Sequence, residues 1–279
     1  MTADRYAAPF ALSEEEVAAF RRDGHVVLRG VLSADEVAAA RADVREATFA
    51  KNKETRPLAE RDTYGKAFLQ TQNLRARHEG AAALVRSPRL GRIAAELMGV
   101  DGVRVFHDQS LFKEPGGGIN PTPWHQDQYY WPFAEPTIMG MWLALVDVDE
   151  SMGSMRYASG THRLGFLGQH EISDASDRVY GAMIAERGVP VVDAAPMRAG
   201  DAAFHWGWTL HSAGANRSDT LREAMVVTWF ADGMRVAEPA NRHQENDRLR
   251  FLGGTPAGEL AASERNPLVY SRSVHADAR

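Results

Sequence analysis

The stretch "TPWHQDQYYWPF", residues 122–133, places a histidine and an aspartate two positions apart and follows them with aromatic residues. Side chains on a strand alternate between its two faces, so His125 and Asp127 would point the same way. An imidazole nitrogen and a carboxylate oxygen could then reach one metal ion. The alternative is a strand with a surface charge beside a buried aromatic cluster, because His-x-Asp pairs also arise by chance.

A third ligand for such an ion is available further along the chain. His211 follows the strand-like run "DAAFHWGWTL" and precedes small residues that leave room around it. Two histidines and one carboxylate on one face of an iron ion are typical of non-haem Fe(II) oxygenases. The chain has 10 histidines, so His211 is weak evidence by itself. We interpret His107, His162 and His205 as structural residues or as neighbours of the site.

Two arginines downstream are candidates for binding a cosubstrate. Oxygenases of this type commonly use 2-oxoglutarate, and the planar fork of arginine suits its distal carboxylate. On a strand, the neighbours of Arg222 on its own face would be Ala224, Val226 and Thr228. A charge on such a small, apolar face needs a partner. Arg217 lies in the turn-like "GANRSD" and is interpreted as solvated, so we favour Arg222.

The composition sets limits on the class of protein. The chain has 279 residues, of which 44% are hydrophobic and 25% charged, which is ordinary for a globular protein with a sizeable core. A net charge of −5 does not favour a nucleic-acid or membrane surface. The absence of cysteine excludes disulfides, thiolate metal sites and a cysteine nucleophile. "MTADRYAAPFAL" does not resemble a signal peptide, and we expect a cytoplasmic protein.

The first hundred residues contain helix signals. Ser13 is followed by Glu16 and Ser33 by Glu36, which is the capping-box pattern at two helix starts. A third helix is predicted from about Pro88 to Met98, and "HVVLRGVL" between the first two helices reads as a short strand.

The residue pattern changes after residue 100. Short segments rich in β-branched and aromatic residues follow, separated by Gly, Pro, Asn and Asp. This pattern favours an antiparallel sandwich or barrel, with the helices on one face. We predict one domain, 1–279, with a mainly helical flank (1–100), an all-β core (101–235) and a C-terminal segment (236–279). "NRHQENDRLRFLGGTPAGEL" and the tail after it are predicted to be loop and irregular structure.

Several motifs together resemble a known family. They are "FRRDGHVVLRGVLSADEV", "HDQSLFKEPGGGINPTPWHQDQYYWP", "MWLALVDVDESMGSMRYASGTHR" and "HSAGANRSDTLREAMVVTWF". The chain resembles the phytanoyl-CoA dioxygenase family of Fe(II)- and 2-oxoglutarate-dependent oxygenases, with "GTH" where the family usually has "GSH". The resemblance implies a jelly-roll core, that is, a double-stranded β-helix. It also implies that His125, Asp127 and His211 bind Fe(II) and that Arg222 binds 2-oxoglutarate, with O2 as the second cosubstrate.

The resemblance further implies oxidation of an unactivated C–H bond of a small organic molecule. We expect a tailoring step in natural-product biosynthesis: hydroxylation, or radical epimerisation, cyclisation or desaturation. Relatives that halogenate replace the acidic ligand with a small residue, so Asp127 disfavours that reaction. Two alternatives are a non-catalytic jelly-roll binding protein and a cupin-like metalloenzyme without a cosubstrate. The second would leave Arg222 without a purpose.

Three other polar or aromatic residues have open roles. Gln109, if on a strand in "VRVFHDQSLFK", could contact 2-oxoglutarate or substrate; a core glutamine with satisfied hydrogen bonds is an equal alternative. Trp142 in "GMWLAL" could pack beside the cosubstrate, although a buried tryptophan is usually core. Lys113 is expected to be solvated.

The aromatic run directly after the first two candidate ligands is a candidate substrate site. Tyr129, Tyr130, Trp131 and Phe133 could line a pocket for a flat or bulky apolar molecule. Core packing is an equally good interpretation for half of them.

Overall fold

The structure, a computed structural model, describes residues 5–115 and 119–273. The helices are α1 (Glu14–Asp23), α2 (Ala34–Lys51), α3 (Thr63–Ala67), α4 (Glu79–Val85), α5 (Pro88–Met98), α6 (Asp174–Glu186) and α7 (Arg242–Phe251). The strands are β1 (His25–Leu28), β2 (Leu69–Gln72), β3 (Gly102–Phe112), β4 (Thr122–His125), β5 (Ile138–Ala144), β6 (Met155–Ala158), β7 (Val191–Asp193), β8 (Ala202–Trp206), β9 (His211–Ala213), β10 (Ala224–Ala231) and β11 (Leu268–Ser271).

The first helices begin at the predicted residues. The Ser13 hydroxyl accepts a hydrogen bond from the Glu16 amide, and the Glu16 carboxylate accepts one from the Ser13 amide. Ser33 and Glu36 form the same reciprocal pair at the start of α2. Each pair satisfies backbone donors that a helix end leaves free, so both predicted starts are confirmed. The third predicted helix, α5, also has its predicted bounds.

The strands form two antiparallel sheets. The larger sheet has the order β1-β8-β5-β10-β3-β11, with β2 also paired to β3, and the smaller has the order β4-β9-β6-β7. In the described part of the chain neither sheet closes on itself into a barrel. The predicted class, a mostly β protein with flanking helices and a jelly-roll core, is confirmed.

Alternation along β10 separates the core into two layers. Met225, Val227 and Trp229 pack in a cluster with side chains of α1, α2, α4 and α5, on the outer face of the larger sheet. Ala224 and Val226 point to the other face and pack between the sheets. The helices therefore cover one face of the larger sheet, and small residues leave space in the interior.

The C-terminal segment is not irregular, and that prediction is wrong. It contains α7 and then β11, which pairs antiparallel with β3. The Asn241 side chain caps α7 by accepting from the backbone amides of His243 and Gln244. Phe251 at the end of α7 packs against Phe106 in the interior. Among the described residues, no helix combines the length and the apolar character needed to cross a membrane.

Candidate active site

The three candidate metal ligands lie together at the interior edge of the smaller sheet. His125 ends β4, His211 begins β9, and the two residues face each other in register. The prediction that Asp127 continues the strand is wrong. Asp127 opens a 3₁₀ turn that ends at Tyr129. The Asp127 Oδ1 atom lies 3.4 Å from His125 Nε2 and 3.7 Å from His211 Nε2. One ligand atom from each residue falls within 4.8 Å of the others.

The backbone fixes the tautomers of both histidines. His125 Nδ1 lies 2.7 Å from the carbonyl oxygen of Pro123, and His211 Nδ1 lies 2.9 Å from that of Thr209. A carbonyl can only accept, so each Nδ1 carries the proton and each Nε2 keeps its lone pair directed toward Asp127. Burial lowers the pKa of His211 well below its usual value, which keeps this imidazole neutral.

The Asp127 carboxylate supplies the negative charge of the site. Burial by itself would raise its pKa, but contacts with the surrounding imidazoles outweigh burial and hold the pKa of Asp127 well below its usual range. The site therefore offers two neutral imidazole nitrogens and one carboxylate oxygen. This donor set fits a divalent first-row metal such as iron and leaves coordination positions for other ligands.

Arg222 is a buried cation close to this group, two residues before β10. Its side chain is 1% exposed, and its guanidinium donates to the carbonyl oxygens of Gly153 and Leu111, the latter at 3.4 Å. Its Nε atom is buried without a hydrogen-bond partner. No carboxylate within residues 5–115 and 119–273 forms an ion pair with it. Burial lowers the pKa of Arg222 to about 9, so the group stays mostly protonated at neutral pH.

The indole of Trp142 extends this set of unsatisfied donors. The guanidinium carbon of Arg222 lies 5.1 Å from the Trp142 ring centroid, and the Trp142 Nε1 atom is buried without an acceptor. Buried donors are normally satisfied, and an unpaired arginine fork fits a carboxylate. The two side chains therefore form a site that an organic acid would complete.

A cavity of about 660 Å³ connects both groups to the surface. Its volume lies in the range of small-molecule sites. The inner lining includes His125, Asp127, His211, Arg222, Trp142 and Val226. The outer lining includes Tyr64, Phe68, Tyr130, Asn246, Asp247 and Arg250, so α3 and α7 with their neighbours form the entrance.

Comparison with known proteins agrees with this arrangement. The family model of phytanoyl-CoA dioxygenase matches residues 20–224, which is more than half of the chain. This chain belongs to the phytanoyl-CoA dioxygenase family. A curated relative, phytanoyl-CoA dioxygenase domain-containing protein 1 of Danio rerio, is 26% identical over 187 residues. The match covers 60% of this chain and 58% of that relative, so the chain spans less than two thirds of its length.

Two solved structures from nogalamycin biosynthesis are similar over nearly their whole length. The non-heme α-ketoglutarate-dependent epimerase SnoN is 28% identical with a TM-score of 0.76, covering 92% of this chain and 97% of that chain. The carbocyclase SnoK is 28% identical with a TM-score of 0.76, covering 94% and 99%. SnoN has also been crystallised with Fe3+, α-ketoglutarate and nogalamycin RO.

In this member of the phytanoyl-CoA dioxygenase family, Gln109 lies on the cavity wall with two other glutamines. Its Oε1 atom accepts hydrogen bonds from Gln70 Nε2 at 2.6 Å and Gln72 Nε2 at 3.3 Å. The three amides come from β3 and β2, which pair side by side. Gln109 is therefore partly satisfied by its neighbours, and its own amide nitrogen remains available to a ligand.

The aromatic run after Asp127 divides between the cavity and its surroundings. Tyr130 and Trp131 line the cavity. Tyr129 and Phe133 are not among its lining residues; Phe133 packs with Phe106 in the interior cluster behind it. The 3₁₀ turn turns successive side chains to different sides, so a continuous aromatic run does not give a continuous aromatic wall.

Lys113 is not solvated, and that prediction is wrong. Its side chain is fully buried, and its Nζ atom donates to the carbonyl oxygen of Asn120 and to Thr122 Oγ1, the latter at 3.1 Å. Burial and the nearby Arg222 lower the pKa of Lys113 well below its usual value. Arg217, by contrast, is exposed as predicted.

The contribution of α7 to the cavity was missed because the segment was read as irregular. His107 also lines the cavity, and burial lowers its pKa to about 3. A signal for α7 was present: Asn241 is followed three residues later by Gln244, a cap pattern of the kind that marks the first helices. No comparable signal distinguishes His107 from the other histidines.

Proposed function

We propose that this protein is a non-haem Fe(II)- and 2-oxoglutarate-dependent oxygenase that oxidises a C–H bond of a small organic molecule. The observation that carries the proposal is one cavity holding both the His125–Asp127–His211 group and the unpaired, buried Arg222. Membership of the phytanoyl-CoA dioxygenase family and the named activities of SnoN and SnoK support it.

In this proposal, His125, Asp127 and His211 hold the iron, and the guanidinium of Arg222 binds the distal carboxylate of 2-oxoglutarate. Iron, 2-oxoglutarate and O2 together supply the oxidising chemistry. The Trp142 Nε1–H and the free amide of Gln109 are further donors for the cosubstrate. Because Arg222 already donates to two backbone carbonyls, its fork is fixed in place before the ligand arrives.

We further propose that Tyr130 and Trp131 position the substrate. They follow the metal group directly, and both rings line the cavity. Such a lining suits a molecule with a flat or bulky apolar body, and it limits the access of water to the reacting carbon. The epimerase and carbocyclase activities named for SnoN and SnoK support a tailoring step on a natural product. The single domain over 1–279 and the cytoplasmic location remain predictions.

Binding measured without oxygen tests the proposal first. We expect Fe(II) and 2-oxoglutarate together to raise the melting temperature, since a ligand at about a hundred times its Kd adds about 2.7 kcal/mol to the free energy of unfolding. Candidate substrates are then screened under air for production of succinate. The absence of any stabilisation would contradict the metal and cosubstrate assignment. Stabilisation without substrate-dependent succinate across a broad screen would favour the alternative of a binding protein.

A further inference from the structure

The two oxygens of Asp127 have different surroundings. Oδ1 faces the Nε2 atoms of His125 and His211, at 3.4 Å and 3.7 Å. Oδ2 faces away from them and lies 3.2 Å from Nε2 of His205, on the neighbouring sheet. A carboxylate without such a partner could rotate and exchange its two oxygens. The contact with His205 distinguishes them.

The tautomer of His205 follows from its surroundings. Its Nδ1 atom is buried and has no hydrogen-bond partner among the residues that the structure describes. A proton on Nδ1 would therefore have no acceptor, whereas a proton on Nε2 has the Asp127 carboxylate. The imidazole accordingly donates from Nε2 to Oδ2.

The position of the His205 ring is fixed from three sides. His205 lies on β8 opposite Gly140 of β5, and a Cβ atom at position 140 would lie 3.1 Å from His205 Cε1 and 3.2 Å from Nε2. A side chain at position 140 would press on the ring, so glycine lets the ring lie close to the backbone of β5. The rings of His211 and Tyr157 pack nearby, with centroids 4.4 Å and 5.5 Å away. The donor thus belongs to a rigid element rather than to a mobile loop.

We propose that His205 is a positioning residue that holds Asp127 in an orientation offering one oxygen to the metal. This inference rests on the proposed function. By occupying Oδ2, His205 keeps the carboxylate from contributing both oxygens. A carboxylate that offers one oxygen leaves more coordination positions for small-molecule ligands, and groups that orient a ligand typically affect metal affinity strongly.

The test compares metal affinity in matched variants, with Mn(II) as the probe in anaerobic calorimetry. His205→Leu removes the donor and should weaken Mn(II) binding roughly 10- to 100-fold. His205→Gln keeps an N–H donor at a similar reach and should recover most of the affinity. His25→Leu is the control, because His25 is a buried histidine that faces His205 across β1 and β8 but does not contact Asp127.

A second measurement separates positioning from general damage to the fold. With Fe(II) and 2-oxoglutarate under anaerobic conditions, the visible charge-transfer band should shift in His205→Leu and return in His205→Gln. Gly140→Ala, which pushes the ring without removing the donor, should shift the band in the same way. Wild-type Mn(II) affinity and an unchanged band in His205→Leu would overturn the proposal. Equal losses in His205→Leu, His205→Gln and His25→Leu would also overturn it, because they would mean a packing role.

Failure of this inference is distinguishable from failure of the proposed function. If the wild-type protein binds neither Mn(II) nor 2-oxoglutarate, the proposed function itself is wrong. If the wild type binds both and His205→Leu binds them equally well, only the role of His205 is wrong.

Discussion

The carboxylate of Glu223 and the guanidinium of Arg41 form a two-point ion pair, at 2.9 Å and 3.0 Å. Arg45 donates to the same carboxylate. The pair lies on the helical side of the larger sheet, whereas Arg222, the residue before Glu223, points to the cavity. Adjacent residues of an extended segment face opposite sides, so the nearest acid in sequence cannot neutralise Arg222. Its charge is thereby left for a ligand.

We predict that Arg222→Ala weakens the binding of 2-oxoglutarate. Loss of a charge-assisted pair in a buried site should cost about 1.5–3 kcal/mol in binding free energy. Calorimetric titration of the Mn(II)-loaded protein with 2-oxoglutarate measures it. The exposed Arg217 provides the control, since Arg217→Ala should leave the affinity unchanged. A large effect of Arg217→Ala with none from Arg222→Ala would reverse our assignment.

The ion pair of Glu223 with Arg41 and Arg45 lies outside the cavity, so we predict that breaking it affects the stability of the fold rather than the binding of 2-oxoglutarate. The Glu223 side chain is 1% exposed, so removing its partners leaves a buried carboxylate without compensation. We expect Arg41→Ala to lower the free energy of unfolding by about 1–3 kcal/mol and the double variant with Arg45→Ala to lower it by about 3–5 kcal/mol. Urea denaturation measures both. Arg22→Ala, which breaks an exposed pair, should lower the free energy of unfolding less than Arg41→Ala does. An equal cost for all three variants would contradict the burial argument.

The sequence predicted the members of the metal group better than the local structure that joins them. Strand alternation was the reason for grouping His125 with Asp127, yet β4 ends at His125 and a 3₁₀ turn brings Asp127 to the same side. The register of His125 with His211 is a long-range pairing that no local pattern contains. The family resemblance implied that both histidines bind Fe(II), but it did not include their register.

Burial of charged side chains was the least predictable property. Lys113 is buried because Asn120 and Thr122, seven and nine residues later, fold back to accept from it. The helix α7 was missed because its sequence is mostly charged and polar and has no apolar face. Phe251 is its one buried residue. Specific hydrogen-bond partners, rather than hydropathy, therefore determine both features: the acceptors of Lys113 in one case and the Asn241 cap of α7 in the other.

We predict that His125→Ala and Asp127→Ala each abolish turnover and weaken metal binding. Each substitution removes one of the three proposed metal ligands, so the loss of Mn(II) affinity should exceed that in any variant of a neighbouring residue. Calorimetry with Mn(II) and a succinate assay measure the two effects. His162→Ala is the control, because His162 hydrogen-bonds to the Arg21 carbonyl away from the site. Succinate production at the wild-type rate in either ligand variant would refute the assignment.

The carboxyl of Asp247, on α7 at the cavity entrance, predicts a pH dependence of stability. Burial raises the pKa of Asp247 to about 7, against a weaker opposing effect of Arg250. The folded protein therefore keeps this proton at pH values where the unfolded chain, with an aspartate pKa near 4, has lost it. The stabilising contribution of Asp247 is complete below about pH 4 and disappears as pH rises through about 7, with a slope of at most ~1.4 kcal/mol per pH unit.

Asp247→Asn should remove this component, because an amide cannot ionise. Buried histidines have the opposite effect. Burial lowers the pKa of His25 to about 4, so the contribution of its neutral form to the stability of the folded protein is lost as pH falls. The informative quantity is therefore the difference between wild type and Asp247→Asn in urea denaturation at about pH 5 and about pH 8. Relative to wild type, the variant should be more stable at the higher pH than at the lower. Asp219→Asn, at an exposed position, should change stability by the same amount at both pH values. A parallel pH profile for wild type and Asp247→Asn would mean that the entrance carboxyl is ionised and solvated in the folded protein, and that α7 leaves the cavity open to water at this point.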